Sequence, residues 1–128
     1  MTALYDVAAI GNAIVDVIAQ CDDAFLEREG LVKGAMALID PARAASLYDV
    51  MAAGIEASGG SAANTAAGVA SFGGKVAFIG KVADDQLGNV FRHDMKAIGC
   101  DFTTPSLIEK SATFTATARS KKEGEAKW

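Results

Sequence analysis

The chain has 128 residues with 51% hydrophobic and 22% charged side chains, and a formal net charge of −4 at pH 7. This is enough chain for one domain, and its acidic balance argues against a surface for nucleic acid or anionic membranes. There is no run of roughly 18 apolar residues and no basic leader, so we expect a cytoplasmic protein with no membrane partner. Cys21 and Cys100 lack metal-like spacing, which predicts reduced structural thiols.

Apolar segments alternate with segments of helical character along the chain. Strands are predicted at residues 5–11, 14–20, 35–40, 54–58, 75–79 and 112–118. Helices are predicted at residues 24–30, 42–54, 61–72 and 86–98. The first and fifth strands are expected to be buried. This alternation indicates an α/β fold with a mostly parallel sheet flanked by helices.

Acidic residues precede three of the helices: Asp22 or Asp23, Asp40, and the pair Asp84–Asp85. Their side chains are predicted to cap helix N-termini, and Asp40 is followed by a proline that favours the first helical position. Asp84 and Asp85 are therefore expected to be caps rather than metal ligands. His93, the only histidine, is expected to face solvent, and no chemistry is assigned to it.

Residues 59–73, GGSAANTAAGVASFG, are the most informative segment. Gly59 and Gly60 allow a close approach of the backbone to a ligand, and Ser61 is predicted to be the N-cap of the following helix. Asn64, one turn further on, carries both a donor and an acceptor for a hydroxylated ligand. The alternative is a tight strand-to-helix turn that serves only packing.

The segment GNAIVD, residues 11–16, places polar groups just after the first strand. Asn12 would lie at the carboxyl end of that strand, where ligands bind in open α/β sheets. Asp16 stands between two valines, so a buried carboxylate there would need partners such as sugar hydroxyls. The alternative is a solvent-facing aspartate on an edge strand.

Four segments in this order, GNAIVD, KGAMALID, GGSAANTAAGVASFGG and FIGKVADDQLG, resemble the N-terminal portion of the ribokinase-like carbohydrate kinases. The adenosine-kinase-like branch is the most similar, and the resemblance covers residues 4–110. It implies a transferase that moves the γ-phosphate of ATP, with Mg²⁺, to a primary hydroxyl of a sugar or nucleoside. It also implies that residues 14–20, 35–40 and 112–118 are strands of a small β-lid.

The resemblance further implies roles for individual residues. Asp16 would bind sugar hydroxyls, and Asn12 would make a neighbouring polar contact. The sugar would also be held by Gly59, Gly60 and Asn64, while Met36 and Leu38 of the lid would face the substrate.

The chain departs from the family pattern in its missing motifs. It lacks the Asp-Thr-x-Gly-Ala-Gly-Asp stretch that carries the catalytic aspartate, the Asn-x-x-Glu element and the nucleotide site. We therefore expect no catalytic or metal-binding residue here, no site for ATP or Mg²⁺, and no activity of the chain alone. Residues 1–118 are interpreted as a truncated acceptor-binding part, and residues 119–128 as a polar, non-native or frame-altered tail.

Two alternatives stay open. The chain could be a non-catalytic binding or dimerisation module whose lid strands pair between subunits. It could also be a product that does not fold stably, because exposing a sheet face that is normally covered costs about 25 cal/mol per Å² of apolar area.

Overall fold

The computed structural model describes residues 2–107 and the backbone of residues 115–117. The strands are β1 (Val7–Ile10), β2 (Ile14–Ile18), β3 (Met36–Leu38), β4 (Ile55–Gly59), β5 (Val76–Ile79), β6 (Cys100–Asp101) and β7 (Thr115–Thr117). The helices are α1 (Asp23–Arg28), α2 (Pro41–Val50), α3 (Ser61–Ser71) and α4 (Gln86–Ala97). None of the helices in this described part has the length and apolar character needed to cross a membrane.

The chain divides into two compact units, residues 1–16 with 56–112, and residues 17–55 with 113–128. The first unit contains a three-stranded sheet in the order β1-β5-β6, and both pairings are parallel. Val7 lies opposite Val76, which in turn lies opposite Cys100. This sheet with its helices confirms the predicted α/β class. The short strand β6 was not predicted, because two residues are too few to form a recognisable pattern.

Each of the three segments predicted as lid strands contains a strand, and their role as a lid stays a prediction. β2 ends at residue 18 and forms a two-stranded sheet with β4. β3 spans only three residues and pairs antiparallel with β7, with Met36 opposite Thr117 and Leu38 opposite Thr115. The rest of the predicted strand 112–118 and the predicted tail, residues 119–128, lie outside the described residues.

Three phenylalanines form the centre of the first unit. The ring of Phe91 on α4 lies 5.5 Å from that of Phe78 on β5 and 5.3 Å from that of Phe102, measured between centroids. On α3 the buried residues are Ala63 and Ala66, and such small side chains let a helix approach a sheet closely. The small-residue composition of α3 therefore serves packing as well as the turn before it.

The two strands that were predicted to be buried, β1 and β5, differ in exposure. On β5, Val76 and Phe78 are buried and Ile79 is 49% exposed, whereas β1 has no buried residue and its Ile10 is 77% exposed. The expectation of burial is therefore wrong for β1 and holds for one face of β5, because successive side chains of a strand point to opposite faces.

The predicted acidic caps are confirmed for three helices. The carboxylates of Asp22, Asp40 and Asp85 accept hydrogen bonds from the N–H groups of Phe25 (2.8 Å), Arg43 (2.7 Å) and Gly88 (2.8 Å), respectively. Pro41 is the first residue of α2, as expected. The cap of α4 is thus the second acid of the Asp84–Asp85 pair.

The predicted cap of α3 is wrong. The N-cap is Gly60, with a φ of 95°, and no side chain caps this helix. The turn out of β4 requires that positive φ, which glycine adopts without steric cost, so the helix begins one residue earlier than a Ser61 cap would require. Ser61 is instead the first helical residue, and its carbonyl accepts a hydrogen bond from the Thr65 hydroxyl at 2.9 Å.

Candidate functional site

Two glycine-containing turns of the first unit lie against each other. One follows β1 and contains Gly11 and Asn12, and the other joins β4 to α3 and contains Gly60. A Cβ atom added to Gly11 would lie 2.7 Å from the Cβ atom of Ala62, and one added to Gly60 would lie 3.0 Å from the Asn12 carbonyl oxygen. Both distances are shorter than ordinary contacts. The close approach of the two turns therefore depends on the absence of side chains at these positions.

Asp16 lies at the edge of this arrangement, on β2. A Cβ atom added to Gly59 would lie 2.5 Å from its Oδ2 atom, so the carboxylate stands directly beside the Gly59 backbone. The Asp16 side chain is exposed, which favours the solvent-facing alternative and makes the expectation of a buried carboxylate wrong. Burial depends on which elements cover a strand, and the two flanking valines do not determine that. The exposed carboxylate is accessible to a ligand in solution.

The first turn of α3 completes the polar surface of the site. The backbone N–H of Asn64 donates to the Gly60 carbonyl at 2.8 Å, and the Asn64 side chain is exposed. Asn12 is exposed as well. The structure thus brings Asn12, Asp16, Gly59 and Gly60 together in one unit, with Asn64 one helical turn further along.

Met36 and Leu38 belong to the second unit, where they lie on β3. They are 68% and 82% exposed, respectively. Their predicted role, to face the substrate, stays a prediction.

A contact that the sequence analysis missed holds the strand that leads into the site. The Oδ2 atom of Asp94 on α4 accepts a hydrogen bond from the backbone N–H of Ser58 at 2.9 Å. This N–H is the main cause that lowers the pKa of Asp94 below its ordinary value of 3.8. Burial opposes it, and the Ser58 hydroxyl and His93 lower the pKa further by smaller amounts. Because the two residues are 36 positions apart, no local sequence pattern could have indicated the contact.

The remaining candidate groups are peripheral to this arrangement. The side chain of His93 is 81% exposed, as predicted, and its Nδ1 atom lies 3.4 Å from an oxygen of Asp94. Cys21 and Cys100 are free thiols, and burial raises the pKa of Cys100. Within residues 2–107, no three His, Cys, Asp or Glu side chains are grouped so that they could hold a metal ion.

Residues 6–126 match the model of the pfkB family carbohydrate kinases. The chain belongs to this family. The match confirms the resemblance seen in the sequence motifs, and the α/β fold of the first unit agrees with it.

This pfkB-family chain is similar to two solved kinase structures and to a curated kinase. Adenosine kinase from Sinorhizobium meliloti is 63% identical, with 82% of this chain and 32% of that chain covered and a TM-score of 0.68. A probable sugar kinase from Rhizobium etli is 53% identical, with 80% and 31% covered and a TM-score of 0.67. A 5-dehydro-2-deoxygluconokinase from Lacticaseibacillus casei is 56% identical over 43 residues, which are 34% of this chain and 13% of that protein.

The chain therefore spans about a third of the length of the two kinase structures. Its fold and family follow from these matches.

Proposed function

We propose that this chain supplies the acceptor-binding part of an ATP-dependent kinase that phosphorylates a primary hydroxyl of a sugar or nucleoside. The observation that carries the proposal is the exposed Asp16 carboxylate, which lies against Gly59. Beside it, the turn after β1 and the turn before α3 are in close contact at glycine residues. Membership in the pfkB family supports the class of reaction.

Asp16 would recognise the acceptor through its hydroxyl groups. An ionised carboxylate accepts several hydrogen bonds, so two neighbouring hydroxyls can donate to it at once. Asn12 and Asn64 add exposed amide groups on the same unit, and the first N–H groups of α3 have no side-chain cap. Together these groups would orient the sugar and leave its primary hydroxyl free to receive the phosphoryl group, since phosphoryl transfer depends mostly on positioning and charge stabilisation.

Adenosine-like acceptors are the preferred substrates in this proposal. The support is the 63% identity to the Sinorhizobium meliloti adenosine kinase over most of this chain. The similarity to a probable sugar kinase and to a 5-dehydro-2-deoxygluconokinase keeps simple sugars as the next candidates.

In this proposal the reaction uses ATP, Mg²⁺ and a catalytic base, and this chain holds no site for any of them. We propose that residues 1–118 form the acceptor-binding part, that residues 119–128 are a polar tail, and that the chain alone does not transfer phosphate. Met36 and Leu38 would close over the bound acceptor and exclude water. The free thiols suit a reducing compartment, which is the cytoplasm in this proposal.

The test is calorimetric binding of adenosine, 2′-deoxyadenosine and ribose to the full chain. Removing one hydroxyl that donates to a carboxylate costs about 1.5–3 kcal/mol, so 2′-deoxyadenosine should bind about 10- to 100-fold more weakly than adenosine. Asp16→Ala should weaken adenosine binding by more than about 100-fold, because two charge-assisted hydrogen bonds are lost, whereas Asp84→Ala, which removes an exposed carboxylate of the same unit, should not change it. Equal binding by wild type and Asp16→Ala would contradict the proposal, and turnover of ATP above a contaminant control would contradict the inactivity.

A second candidate is a non-catalytic module that associates through β3. The supporting observation is that both of its large apolar side chains, Met36 and Leu38, are exposed. Light scattering separates the two candidates, because Leu38→Lys should abolish self-association in the second, whereas Asp16→Ala should leave it unchanged. A monomeric wild-type chain would eliminate the second candidate.

A further inference from the structure

The turn between β4 and α3 has few side-chain interactions that hold its backbone in place. Gly59 and Gly60 carry no side chains, and the helix that follows has no side-chain cap. Glycine loses more conformational freedom on ordering than any other residue, so such a turn needs an anchor from outside. The residue immediately before it, Ser58, is where that anchor is found.

Asp94 supplies the anchor from α4. Its carboxylate accepts the Ser58 N–H at 2.9 Å, and hydrogen bonds to an ionised acceptor are about twice as strong as neutral ones. Ser58 adjoins Gly59, whose backbone stands against Asp16. The Asp94 carboxylate thus fixes the end of β4, and this strand end lies against the Asp16 carboxylate.

Asp94 is not what holds α4 in the fold. The helix is attached to the core by Phe91 and Met95, which are 0% and 2% exposed, while the Asp94 side chain is 33% exposed at the edge of the helix. The loss of the Asp94 carboxylate should therefore loosen the strand end at Ser58 and leave the helix in place.

We propose that Asp94 is a positioning residue of the acceptor site: it fixes the β4–α3 turn and so sets the geometry between Asp16 and the acceptor. This inference rests on the proposed function for its effect on binding. The structural part of the inference, that Asp94 fixes the β4–α3 turn, does not depend on a ligand.

The test compares Asp94→Ala, Asp94→Asn and the matched control Asp84→Asn in the full chain. The amide oxygen of Asn still accepts a hydrogen bond from Ser58, whereas Ala cannot. Adenosine affinity should fall about 10-fold in Asp94→Ala, which corresponds to about 1.4 kcal/mol, and by less than about threefold in Asp94→Asn. Asp84→Asn removes an exposed carboxylate of the same unit and should bind like the wild type.

Amide hydrogen exchange measured by NMR gives the readout that does not need a ligand. In Asp94→Ala the amides of residues 58–61 should exchange at least about tenfold faster than in the wild type, whereas amides in the middle of α4 keep their protection. A general loss of stability would instead speed exchange throughout the unit.

Two results would overturn the inference. One is unchanged exchange at residues 58–61 in Asp94→Ala, and the other is an Asp94→Asn variant that is as impaired as Asp94→Ala. If the wild-type chain binds no acceptor, the proposed function fails. Faster exchange confined to the turn would even then support the positioning of this turn by Asp94.

Discussion

Replacing Gly59 by alanine tests the geometry of the site with a single methyl group. The added Cβ atom would lie 2.5 Å from the Asp16 Oδ2 atom, whereas ordinary contact begins at 3.4 Å, so the carboxylate must move by 0.9 Å (3.4 − 2.5). A hydroxyl–carboxylate hydrogen bond of about 2.6 Å that is stretched by this amount is about 3.5 Å long and no longer a hydrogen bond. The loss of one such bond costs about 1.5–3 kcal/mol, so adenosine should bind about 10- to 100-fold more weakly.

The stability of the fold should change far less than the affinity. Alanine at a compatible position gains about 0.4–1 kcal/mol over glycine, and moving the Asp16 side chain off its rotamer costs about 0.5–1.5 kcal/mol. The two effects nearly cancel, so the free energy of unfolding in urea should change by less than about 1 kcal/mol. Gly68→Ala is the matched control on α3, because its added Cβ atom meets nothing within 4 Å and should leave the affinity unchanged.

Two results would refute this reasoning. Calorimetry could find that Gly59→Ala binds adenosine as the wild type does, in which case the position of the Asp16 carboxylate does not set the affinity. The double variant Gly59→Ala with Asp16→Ala gives the second test. It should bind no more weakly than Asp16→Ala alone, because the methyl group acts only through that carboxylate.

Two further predictions concern stability. Because the Ser58 N–H holds the pKa of Asp94 below 3.8, this carboxylate stabilises the fold above that pH, and the contribution is lost as the pH falls through the lowered pKa. Denaturant titrations should therefore show a stability gap between wild type and Asp94→Asn that is constant near neutral pH and closes below pH 3.8; a pH-independent gap would contradict this assignment. Phe91→Ala should lower the free energy of unfolding by about 3–5 kcal/mol, because this fully buried ring packs against Phe78 and Phe102. A loss below about 1 kcal/mol would show that the three rings are not the centre of the core.

The features that the sequence predicted correctly have local causes. Asp40 and the proline after it define the start of α2 by their own hydrogen bonding and fixed φ, whatever surrounds them. The order of strands and helices likewise follows from apolar runs that alternate with helical segments. The glycine pair marked the correct turn because only glycine relieves the close approach seen there.

The features that were missed depend on contacts between distant segments. Whether Asp16 is buried depends on what covers β2, and the neighbouring valines carry no such information. The N-cap of α3 was misplaced by one residue because the conformation of Gly60, with φ of 95°, determines where the helix begins, and a serine at the next position looks like a cap in any sequence. The bond from Ser58 to Asp94 joins residues 36 positions apart, so it has no local signature at all.

The candidate site is defined more by missing side chains than by reactive ones. A Cβ atom at any of three glycines would clash with a residue of another segment. The pairs are Gly11 with Ala62, Gly59 with Asp16 and Gly60 with Asn12. Among these six residues only one is charged, so the charge that would recognise an acceptor comes from a single carboxylate whose position the glycines determine. Affinity should therefore fall when a methyl group is added at Gly59, although this change leaves the charge of the site untouched. A site whose carboxylate did not depend on a neighbouring glycine for its position would lack this sensitivity.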